Sequence, residues 1–64
     1  MTDSQRINLI NLLSIEGMRF LGTGSGVSIS KAKLCFNLIQ GIAGDDTYVP
    51  STEILLSVNI QRNF

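Results

Sequence analysis

One cysteine, Cys35, and no histidine constrain this chain more than any motif it carries. Short domains are often held together by disulfides or a structural zinc, and neither can be built from a lone thiol without imidazoles. A chain of 64 residues must then rely on its apolar core, and surface-to-mass scaling allows it to bury only about 60% of its unfolded surface. Such a core is marginal, so a second copy or another partner is the expected source of further stability. The missing histidine also excludes Ser-His and Cys-His nucleophile pairs, and with them a hydrolase triad.

Hydrophobic residues make up 44% of the chain and charged residues only 16%, the reverse of a disordered composition, so the expectation is one folded domain over residues 1–64. Five basic residues balance five acidic ones, which removes any global attraction to nucleic acid. A helix-turn-helix DNA binder would need a basic recognition helix, and Lys31 and Lys33 alone make that the weakest functional expectation. No apolar run reaches the roughly 18 residues needed to span a bilayer. An N-terminus with Asp3 and an Asn-interrupted apolar stretch also makes a poor signal peptide, so a cytoplasmic setting is expected.

Along the chain, Thr2, Asp3 and Ser4 offer N-cap chemistry, and Gly17 suits the position after a helix, which predicts a first helix from Thr2 to Glu16. Its apolar residues fall on two sides: Leu9, Ile10, Leu12 and Leu13 share one arc, while Ile7 and Ile15 lie opposite. A helix apolar on two sides needs two partners, so Ile7, Asn8, Asn11 and Ile15 are candidate interface residues, with the Asn amides able to set register. Met18 to Leu21 and Val27 to Ser30 alternate around a glycine-dense connection, which predicts a β-hairpin, with strand, loop and helix as the rival reading. Residues 30–43 carry helical periodicity, with Cys35 on the apolar arc as a core thiol. Asp45 to Ser51 reads as a turn-rich connection. Ile54, Leu56, Val58 and Ile60 alternate with polar residues, which predicts a C-terminal strand, with a third helix capped by Ser51 or Thr52 as its competitor. The expected fold class is therefore α+β, in the order helix, hairpin, helix, strand, and the alternative is an all-α three-helix domain.

The run Phe20, Leu21, Gly22, Thr23, Gly24, Ser25, Gly26, Val27 resembles the first loop of class I methyltransferases and the opening strand of metallo-β-lactamase-fold hydrolases. A chain without histidine lacks the zinc ligands of the second family, and 64 residues cannot hold the parallel sheet of the first. The same run resembles a P-loop, with Val27 standing where that motif needs its Lys. What remains is a physical expectation: the backbone amides at Gly22, Thr23, Gly24, Ser25 and Gly26, with Lys31 and Lys33 in the first turn of the next helix, form a candidate anion site. No metal or cofactor is expected. The leading functional expectation is a non-enzymatic protein-interaction module of inhibitor or adaptor type, such as mobile-element genomes encode, forming homo-oligomers. A binder of a phosphorylated small molecule or nucleotide at the glycine-rich loop is the alternative.

Overall fold

Thr2 starts the first helix with a reciprocal cap: its hydroxyl accepts from the Gln5 backbone N–H at 3.1 Å, and the Gln5 side chain accepts from the Thr2 N–H at 2.8 Å. These two bonds satisfy backbone donors that a helix start otherwise leaves free. In the computed structural model, which describes all 64 residues, helix α1 runs Asp3–Thr23, α2 runs Gly26–Gly44 and α3 runs Thr52–Ser57. Gly24 ends α1 in the left-handed region at φ 73°, and Ser25 caps α2 by accepting from the Ser28 N–H at 3.1 Å. Two residues thus turn the chain through an antiparallel helical hairpin.

There is no strand, and this corrects the α+β expectation to the all-α three-helix alternative. The β-hairpin of Met18–Leu21 and Val27–Ser30 is absorbed into the facing ends of α1 and α2. Gly17 does not end α1: it is buried inside it, where an added Cβ would stand 3.0 Å from the Phe36 ring and 3.4 Å from the Cys35 Cβ. The glycine is there so that α2 can approach closely, and the helical hydrogen bonds carry through it.

The C-terminal strand is also overturned. Ser51 caps α3 by accepting from the Ile54 N–H at 3.2 Å. The helix closes when the Asn59 N–H donates to Leu56 O and the Ile60 N–H donates to Leu55 O, with Asn59 left-handed at φ 65°. This is a Schellman ending with Asn in place of the usual glycine. It turns Leu55, Val58 and Ile60 inward and leaves Ile54 and Leu56 exposed, so the alternation in sequence does not describe the buried face.

One core joins the three helices: Leu9 and Leu13 of α1, Cys35, Leu38 and Ile42 of α2, and Leu55, Val58 and Ile60 from α3 and its ending. It runs along the middle of the hairpin, and Leu55, Val58 and Ile60 from α3 and its ending complete it. Towards the turn the coverage stops, and no residue from Met18 through Lys31 is buried. The surface of 4050 Å² matches the roughly 4,000 Å² expected for a folded monomer of this mass.

Candidate functional site

With Leu9, Leu13 and Gly17 of α1 facing the core, the opposite flank of the helix is fixed by geometry, since each residue advances by about 100°. That flank carries Ile7, Asn11, Ile15 and Met18. The three apolar side chains keep 59%, 50% and 65% of their surface exposed. Leu12 and Leu21 extend the apolar area along its two edges. Isolated exposed apolar residues are ordinary, whereas several on one face of a helix make that face a candidate contact surface. The two-sided distribution read from sequence appears in the fold for buried Leu9 and Leu13 and for Ile7 and Ile15 on the side away from the core, whereas Leu12, read on the same arc as Leu9 and Leu13, is exposed. Asn11 lies exposed in the middle of this row. Asn8 is drawn to its edge, where its amide donates to Phe64 O at 3.3 Å.

Met18, Arg19 and Leu21 belong to this surface and were not among the residues singled out from sequence, because Gly17 was read as a stop. The signal was present: the four-residue spacing of Ile7, Asn11 and Ile15 continues to Arg19, and Met18 falls beside it.

At its N-terminal end the face borders an open depression lined by Asp3, Arg6, Ile7, Ile10 and Asp46. Arg6 crosses from α1 to the end of α2, where it donates to Ile42 O and pairs with Asp46 at 3.0 Å. A guanidinium at that point supplies the positive charge that α2, with no basic residue in its last turn, otherwise lacks at its C-terminal dipole. Beyond it, Asp45 accepts from the Thr47 hydroxyl at 2.7 Å and the Thr47 N–H at 2.9 Å. Those bonds favour the carboxylate and hold Asp45 below the usual carboxylate range.

The glycine-rich connection is placed differently from the candidate anion site. Gly22 and Thr23 lie in the last turn of α1, Gly24 and Ser25 form the two caps, and Gly26 opens α2. Because α2 begins at Gly26, Lys31 and Lys33 fall beyond its first turn, and two residues along a helix they project about 200° apart. Lys31 is instead held with its ammonium 5.7 Å from the centre of the Phe20 ring, a cation–π contact that ties α2 back to α1. The two lysines are not brought together on the loop.

Cys35 is fully buried. Burial first, and the nearby Glu16 charge second, push its thiol pKa upward, so the sulfur stays protonated and inert. No group of three His, Cys, Asp or Glu side chains is placed to hold a metal ion, and no helix is long and apolar enough to cross a membrane. The chain matches no protein-family model, no curated protein and no solved structure.

Proposed function

We propose that this chain is a small protein-interaction module of inhibitor or adaptor type that acts by binding, with the outer face of α1 as its contact surface. The observation that carries the reading is the row of Ile7, Ile15 and Met18, exposed on the flank opposite the core. Burying the exposed parts of these three side chains stabilises a complex by roughly 3 to 5 kcal/mol before the costs of association. A cytoplasmic setting goes with the reading, since a single unpaired thiol suits a reducing compartment.

The test is site-specific photo-crosslinking in cells that express the protein. A photoreactive residue at Ile15 is expected to give a discrete adduct, and the same residue at Asn37, which is exposed on α2, to give none. Ile7→Ser is expected to suppress the adduct at position 15. Equal labelling from both positions, or adducts that persist in Ile7→Ser, would sink the reading.

A further inference from the structure

Asp3, Ile7, Asn11, Ile15 and Arg19 recur every four residues along α1 and so form one oblique ridge across its outer face. Outward from Asn11 the ridge reads the same in both directions, amide, isoleucine, charge, except that one end is acidic and the other basic. We infer that this ridge docks against the same ridge of a second copy of the chain, running antiparallel about a two-fold axis at Asn11. The inference rests on the outer face of α1 being a contact surface and adds its occupant and direction.

In an isologous pair each contact away from the axis occurs twice. Here Ile7 meets the partner's Ile15, the two Asn11 amides face each other, and Asp3 meets the partner's Arg19. The amides exchange donor and acceptor across the axis, so a polar group inside an apolar contact is satisfied and fixes the register. A parallel arrangement would set Asp3 against Asp3 and Arg19 against Arg19, so the charges select the antiparallel one.

Both charged side chains are available for this role. Asp3 is 97% exposed with Arg6 3.8 Å away, and Arg19 is 72% exposed with Glu16 at 3.1 Å. Exposed pairs one turn apart on a helix are weakly held. The chain's net charge of zero leaves no overall repulsion between copies.

Sedimentation equilibrium of the intact chain, at concentrations up to millimolar and at low salt, decides the matter. Wild type is expected to dimerise. Asp3→Arg or Arg19→Asp alone should weaken the dimer about tenfold, since each places two like-charge contacts in one interface. The double variant should recover wild-type affinity. All four proteins should keep the same helical circular dichroism, because both positions are exposed. Asn11→Cys should cross-link the dimer under mild oxidation, whereas buried Cys35 gives no cross-link in wild type.

A wild type that stays monomeric overturns the second-copy inference and leaves the wider interaction reading to its own crosslinking test. A dimer abolished by Ile7→Ser with Ile15→Ser, yet not restored by the double charge exchange, overturns the antiparallel register while the contact face stands. A dimer indifferent to Ile7→Ser with Ile15→Ser removes both.

Discussion

Gly22 and Gly24 stand two residues apart and answer to different physics. Gly22 is helical, and an added Cβ there meets nothing within 4 Å. Gly22→Ala should raise stability by up to about 1 kcal/mol, the difference in helix propensity. Gly24 has the same open surroundings but a φ of +73°, so Gly24→Ala should lower stability by about 1 kcal/mol through backbone strain. In a domain this small each change shifts Tm by about 4–8 °C, which thermal melts at one protein concentration will resolve. Cys35 adds a pH dependence whose sign follows from its burial. Its folded pKa is raised, so the folded state keeps a proton that the unfolded chain releases. Its contribution is complete below about pH 8.5 and is lost as pH rises toward the folded value. Cys35→Ala should flatten that alkaline decline while costing about 1–2 kcal/mol near neutral pH through the cavity left. Native Cys35 should also resist alkylation until the protein unfolds.

Among the elements, the end of the chain separates what sequence could tell from what it could not. The caps were legible in part: Thr2 was among the three residues offered for the start of α1, and Ser51 was one of two offered by the competing helix reading of the last segment, whereas the cap of α2, expected at Ser28 or Ser30, lies at Ser25. The buried arc of α2 was legible, where Cys35, Leu38 and Ile42 lie in the core. The face of the last segment was not. Ile54, Leu56, Val58 and Ile60 alternate by coincidence, because a one-and-a-half-turn helix closed by left-handed Asn59 buries Leu55, Val58 and Ile60, a spacing that resembles neither period. Gly17 misled for a related reason, since a glycine at a helix crossing and a glycine after a helix look alike until the partner helix is in place. For the candidate site, the exposed placement of Ile7 and Ile15 opposite the core was readable from angle alone, whereas the helical turn that carries Arg19 was hidden by the early stop. The two readings of the C-terminal segment part cleanly on mutation. Leu55→Ala should cost about 2–4 kcal/mol, as loss of a fully buried leucine does, while Leu56→Ala should stay within about 0.5 kcal/mol because its side chain is exposed. Urea unfolding of the two variants measures both, and a C-terminal strand with Leu56 inward would reverse their order.

Over the whole molecule, a body 34 Å long, the buried residues of the hairpin run from Leu9 to Gly17 in α1 and from Ala32 to Ile42 in α2. The turn end, Met18 through Lys31, contributes no buried residue. Local opening there exposes little apolar surface and costs less than global unfolding. Backbone amides of Leu21 and Ile29 should therefore exchange with deuterium well before those of Leu13 and Leu38, and equal protection along the hairpin would contradict a core that stops short of the turn. The opposite end gathers both extremities of the chain: Met1 and Phe64 line the same depression, and Asn8 donates to Phe64 O. That proximity makes the order of the helices topologically dispensable. A circular permutant that joins Phe64 to Met1 through a short flexible linker and opens the chain between Gly24 and Ser25, where both residues are exposed, keeps every core pairing while placing α2 first and α1 last.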